Sequence, residues 1–134
     1  MTTASAGPPP LPRYPGGALF FDLLFSVASG NGNGGNFIVN MAGSTALLDL
    51  RKSSQILSNG VGTGSGGIIR MTASDFSFDT ADVVIEATGG SGGGYGGVID
   101  FKQVGTGTFM LGRSGQDTYL RTDGLSSDTQ NIIR

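Results

Sequence analysis

The chain has 134 residues, enough for one domain with a modest core, and its 10 acidic and 8 basic residues leave a net charge of −2. That balance supplies no basic stripe for nucleic acid, and the absence of cysteine, histidine and tryptophan excludes disulfides, thiolate metal sites and the usual general base. With 25 glycines, 37% hydrophobic and only 13% charged residues, the composition suits strands and turns rather than helices or a disordered chain.

Residues 1–15 hold all five prolines. Proline fixes its own φ and restricts its predecessor, so this stretch is expected to be an extended, polyproline-like arm with no core of its own. Pro9-Pro10-Leu11-Pro12 contains a bare PxxP pattern, but Arg13 follows at once, so an arm lying along a neighbouring surface is the preferred reading. Ordering such an arm costs backbone entropy that its few apolar side chains do not offset, which makes Leu11 and Tyr14 the expected anchors on another subunit.

Residues 16–123 are read as one β-domain. Its first part, 16–32, contains Ala18 to Ala28, the most apolar stretch of the chain. Eleven residues interrupted by Asp22 fall short of the ~20 of a membrane helix, and no basic region precedes them as in a signal peptide. Gly16-Gly17 opens this segment as a degenerate first coil or capping strand. Phe20 and Phe21 are adjacent and cannot share a face, so one of them is expected at a subunit contact.

From residue 33 to 123 one phrase recurs roughly every 30 residues, a period that points to stacked β-coils. It reads Gly34-Gly35-Asn36-Phe37-Ile38-Val39, Gly66-Gly67-Ile68-Ile69-Arg70-Met71 and Gly96-Gly97-Val98-Ile99-Asp100-Phe101. Aligned on the glycines, Phe37, Ile69 and Ile99 form one column, and Val39, Met71 and Phe101 a second. Strand side chains alternate with period two, so both columns are expected to face inward. Ile38, Arg70 and Asp100 then face outward with Asn40, Thr72 and Lys102, and Arg70 meets Asp100 as a surface pair worth under ~1 kcal/mol.

Each unit carries two further alternating runs. The first is Leu48-Asp49-Leu50, Phe76-Ser77-Phe78 and Phe109-Met110-Leu111. The second is Ser54-Gln55-Ile56-Leu57, Val83-Val84-Ile85-Glu86 and Thr118-Tyr119-Leu120-Arg121. Three strands per repeat predict a short parallel β-helix of about three coils in an all-β chain. The glycine runs 60–66 and 89–94 are its corners, where positive φ or close backbone approach is needed. Residues 124–134 form a tail with a small apolar hook that caps its own coil or inserts into a neighbour.

The stretches Ser29-Gly30-Asn31-Gly32-Asn33-Gly34-Gly35-Asn36-Phe37 and Ala87-Thr88-Gly89-Gly90-Ser91-Gly92 resemble the glycine-rich repeats of filamentous-haemagglutinin-type β-helical adhesins. The resemblance covers residues 29–104. It implies a right-handed β-helix with a glycine corner opening each coil.

Motifs with chemical promise are few. G-x-G-x-x-G occurs at Gly30-Gly32-Gly35, Gly62-Gly64-Gly67 and Gly92-Gly94-Gly97, but each copy precedes a strand, whereas dinucleotide binding needs it to open a helix. The acidic group Asp75, Asp79, Asp82 and Glu86 offers the carboxylates a glycosidase would need, yet its spacing spreads it over different strands or corners. Solvated outward positions are the preferred reading. No catalytic residue, cofactor or metal site is expected, and the chain is not read as an enzyme. With no export signal read, the expectation is a structural virion protein assembled in the host cytoplasm. A bacteriophage capsid decoration (cement) protein is expected, with the major capsid protein and its own copies as partners and a homotrimer as the unit. The expected assembly contacts are Pro9, Pro10, Leu11, Tyr14, Phe20 and Phe21, with no nucleic acid or membrane as partner. The alternative is a short tail-fibre or adhesin-like module binding a surface glycan at the extracellular surface.

Overall fold

The computed structural model describes residues 18–21, 24–26, 32–41, 45–50, 54–78, 82–124 and 132–133. Among them there is no helix. Twelve strands follow one another: β1 (Ala18–Phe21), β2 (Leu24–Ser26), β3 (Asn36–Asn40), β4 (Leu47–Leu50), β5 (Gln55–Leu57) and β6 (Ile68–Ala73), then β7 (Asp75–Phe78), β8 (Val83–Glu86), β9 (Val98–Gln103), β10 (Phe109–Leu111), β11 (Thr118–Arg121) and β12 (Ile132–Ile133).

Every strand pairs in parallel with the strand three places along the chain. The result is three four-stranded parallel sheets, ordered β1-β4-β7-β10, β2-β5-β8-β11 and β3-β6-β9-β12. Three successive strands therefore make one circuit, and the next circuit lies on top of it. This topology is consistent with a short parallel β-helix. Parallel strands need a crossover, and here the crossover is the rest of the circuit rather than a helix.

The register follows the glycine alignment. Phe37 pairs with Ile69 and Ile69 with Ile99; Val39, Met71 and Phe101 form the next column inward. In the first sheet Leu48, Phe76 and Phe109 stand in line, and Leu50 with Phe78 and Leu111. In the second, Ile56 and Ile85 lead to Leu120. Inward positions of the middle circuits are closed to solvent: Leu48, Leu50, Ile69, Met71, Phe78, Val83, Ile85 and Ile99 are all 0% exposed. Alternation is visible strand by strand, as in β6, where Ile69, Met71 and Ala73 are buried and Arg70 is exposed.

Phe76, Phe78, Phe101 and Phe109 form an aromatic cluster at the last two circuits of this core, with Phe76 and Phe109 ring centroids 4.9 Å apart and Phe76 edge-on to Phe78 at 5.9 Å. Offset and edge-to-face contacts of this kind suit the ring quadrupole. Two positions depart from a simple in-and-out rule. Asp49, paired with Ser77 in the outward register of β4, is only 3% exposed. Phe109, in an inward column, is 41% exposed, with no described strand stacked beyond β10.

The glycine corners join the second sheet to the third. Their backbones hydrogen-bond from circuit to circuit: Gly34 N donates to Ser65 O (2.8 Å), Gly66 N to Tyr95 O (2.8 Å), and Gly90 N to Gly64 O (2.8 Å). A Cβ built on Gly64 would overlap the carbonyl oxygen of Gly32, and one on Gly94 the carbonyl of Gly64. Close approach is therefore the reason for these two glycines, while positive φ accounts for Gly62 (62°) and Gly93 (114°) at the turn tips.

Candidate functional site

The acidic residues are the natural place to look for chemistry, and they are placed as fasteners between circuits. Asp75 opens β7, and its Oδ1 accepts the backbone N–H of Thr108 (2.6 Å), 33 residues on. Asp82, just before β8, does the same for the N–H of Asp117 (2.9 Å). Each carboxylate thus satisfies a donor at the entrance to the strand stacked above it, a charge-assisted bond of the kind that caps helices. Glu86, at the end of β8, accepts from Asn59 Nδ2 (3.1 Å) below and from the Arg121 guanidinium (3.4 Å) above. Asp79 lies outside the described residues.

For Asp75 and Glu86 these contacts correct the expectation of solvated side chains, while Asp82 is exposed as expected. Asp75 and Glu86 are half-buried and bonded across circuits, whereas Asp82 is exposed yet still bonded. The reason is the stacking, which brings residues some 30 positions apart into hydrogen-bond range. Their spread over different strands or corners stands as read, with Asp75 opening β7, Asp82 just before β8 and Glu86 at its end.

Asn33 and Asn59 were not singled out in the sequence and play the same part. Asn33 Oδ1 accepts from Ser65 N (2.8 Å), and Asn59 Oδ1 from Thr88 N (2.9 Å). Both are Asn-Gly pairs at the mouth of a glycine corner, and that pairing was the available signal. Ser58, 1% exposed, donates its hydroxyl to the carbonyl of Gly35.

The outer wall of the third sheet carries the expected ion pair, Arg70 Nε to Asp100 Oδ2 at 3.0 Å. A second charged group lies at the end of the second sheet, where Arg121 also binds Asp123 at 2.8 Å. The hydrogen bond from Arg121 holds the Asp123 carboxyl below its ordinary 3.8. Asp117, beside the Tyr119 hydroxyl at 3.3 Å, pushes that phenol up by its charge. Thr88, Gly89, Ser91, Arg121, Asp123 and Gly124 line an open recess of about 250 Å³. It offers hydroxyls, a carboxylate and a guanidinium already engaged on two sides, which suits hydroxyl-rich ligands better than anions. Among the described residues no group of three or more acidic residues could hold a metal ion.

Of the expected assembly contacts, Pro9, Pro10, Leu11 and Tyr14 lie outside the described residues. Phe20 and Phe21 are in β1, where Phe20 pairs with Asp49 and Phe21 with Leu50. Successive positions on a strand belong to opposite faces, so the two phenylalanines stand in different columns. The inward columns and the Arg70–Asp100 pair come together as read, while Asp75, Asp82 and Glu86 bond to separate partners and do not converge on one site. No family model matches the chain, and neither does any curated protein or solved structure.

Proposed function

We propose that this chain is a structural virion protein, a bacteriophage capsid decoration (cement) subunit. It is held on the particle by its Pro-rich arm, and its right-handed β-helix of about three coils and a capping coil acts as a rigid spacer. The major capsid protein and sister copies in a homotrimer are its partners, and the virion is its location. The observation that carries this reading is the use made of the polar side chains. Asp75, Asp82, Glu86, Asn33 and Asn59 all bond from one circuit to the next, so they serve rigidity rather than turnover. In this reading Pro9, Pro10, Leu11 and Tyr14 anchor the arm, with Phe20 or Phe21 at a subunit contact. The chain carries out no catalysis and needs no cofactor.

The test is deletion of Met1 to Pro15. The truncated chain is expected to keep its far-UV spectrum, since the buried apolar residues described run from Ala46 to Ile99, and to lose incorporation into particles. Full occupancy without the arm would remove this reading.

A second reading, a tail-fibre or adhesin-like module for a surface glycan, is favoured by the hydroxyl-lined recess at Thr88, Ser91, Arg121 and Asp123. Under it, Asp123→Ala abolishes glycan binding while arm deletion leaves it unchanged. The opposite pattern belongs to the cement reading.

A further inference from the structure

Among the described residues, the last circuit leaves three strand edges without a neighbour in the sheet order: β10, β11 and β12. The first circuit does the same at β1, β2 and β3. The backbone hydrogen bonds show which groups face outward along the axis. On β10, Phe76 N donates to Thr108 O and Gly112 N to Phe78 O, both at 2.8 Å, so Thr108 and Gly112 turn towards β7. By strand alternation the N–H and C=O groups of Phe109 and Leu111 point to the open side. On β11, Val83 N bonds Asp117 O (2.9 Å) and Ala87 N bonds Arg121 O (2.8 Å), which turns Thr118 and Leu120 to the open side. At the other end, Ile68 N bonds Gly35 O (3.2 Å) and Met41 N bonds Thr72 O (2.9 Å), so the open donors of β3 are those of Asn36, Ile38 and Asn40.

The side-chain columns end in the same way. Phe109 (41% exposed), Leu111 (37%) and Ile133 (47%) stand last in three inward columns of the described residues. The first circuit holds apolar residues at the matching register positions: Leu19 opposite Leu48, Phe21 opposite Leu50, Phe25 opposite Ile56 and Phe37 opposite Ile69. Each column is thus apolar from one end of the chain's stack to the other.

We infer that the β10–β11–β12 end receives the β1–β2–β3 end of a second copy, continuing all three parallel sheets across the junction. The occupant follows from continuity with the interface that already joins successive circuits. Only a head-to-tail copy places each sheet on its own kind with its strands parallel. A tail-to-tail pair would run strands antiparallel and set two of the three sheets on each other, although the corners between sheets differ. β5 and β6 are joined by a ten-residue glycine run, whereas Ser74 alone separates β6 from β7. Such a contact uses different surfaces on the two copies and so repeats without closing. Exposed edges of this kind are templates for added strands unless something blocks them. A lateral trimer leaves both ends free, so the two contacts are compatible.

Proline on an edge strand is tolerated where its missing N–H faces away from the ladder, and this gives a clean block for each end. Leu111→Pro removes an open donor of β10, and Ile38→Pro one of β3. Sedimentation velocity of the purified full-length chain is expected to show mass growing with concentration. Each variant alone, with an unchanged far-UV spectrum, should lose that growth, and an equimolar mixture should form a species of twice the blocked mass. Leu111→Lys, which keeps the backbone donor but sets charges into the junction, is expected to behave like Leu111→Pro. It stands in if the proline unfolds the strand. A wild-type chain that never grows, growth that persists in either variant, or a mixture without the doubled species would each overturn the inference. Because the measurement uses the isolated chain, its failure leaves the cement reading to be judged by arm deletion.

Discussion

At Ile69 the whole stack meets in one side chain. It sits at the centre of a column between Phe37 and Ile99 and is closed to solvent. Ile69→Asp would bury a carboxylate with no partner of opposite charge in that column, at a cost of several kcal/mol against the ~5–15 kcal/mol a domain has in total. The expected result is loss of the folded far-UV spectrum; a soluble, folded variant would refute the register. Asp75 makes a finer test. Asp75→Ala strips the acceptor from Thr108 N and is expected to cost about 1–2 kcal/mol in urea melts. Asp75→Asn keeps an acceptor oxygen and should lose less than half of that. Equal losses from the two would mean that charge, not the hydrogen bond, is what matters there.

The glycine corner is the element whose sequence is most constrained by what lies above and below it. Gly94 rests on the carbonyl of Gly64, and Gly64 on that of Gly32, so the corner's backbones stack with no room for a Cβ. The obstructing atoms are main-chain atoms held by circuit-to-circuit hydrogen bonds, and they cannot swing aside as a side chain would. Gly94→Ala is therefore expected to destabilise by about 1–3 kcal/mol or more through overpacking. Ser91→Ala, at an exposed position of the same turn, should stay within ~0.5 kcal/mol. A thermal melt of both variants separates steric crowding from any general intolerance of the loop. If Gly94→Ala melts with the wild type, the corners are looser than their hydrogen bonds suggest.

For the molecule as a whole, stability comes from repetition: each circuit covers the apolar columns of the one below. Charge contributes little, and its pH signature is correspondingly small. Asp123 has its carboxyl held down by Arg121, so its contribution is fully present above the unfolded value near 3.8 and is lost as pH falls through the lower folded value. Asp123 is 61% exposed, and solvent screening leaves this contribution small. Asp123→Asn is expected to leave the melting temperature at pH 7 almost unchanged and to flatten the acid limb of a stability profile slightly. A large loss at pH 7 would show that the pair holds the end of the second sheet in place.

Much of the fold was legible before any coordinates, because the glycine pair sits at a constant distance from its strand. Once Gly35, Gly67 and Gly97 were aligned, the pairing of Phe37 with Ile69 and Ile99, and of Arg70 with Asp100, followed from period-two alternation alone. The candidate site was less legible. Asp75 meets Thr108 and Asp82 meets Asp117 across 33 and 35 residues, and those distances depend on how long each intervening corner is, which varies from circuit to circuit. No local pattern encodes that length, so carboxylates that read as solvated turned out to be fasteners. Phe109 shows the same limit from the other side: its column was readable, but its exposure depends on being in the last circuit. Local composition and spacing determined the strands, the corners and the inward columns of this protein. Which circuit ends uncovered, and which polar groups bind across circuits, was decided by the tertiary stacking, because both depend on what lies about 4.8 Å above or below rather than on the neighbours along the chain.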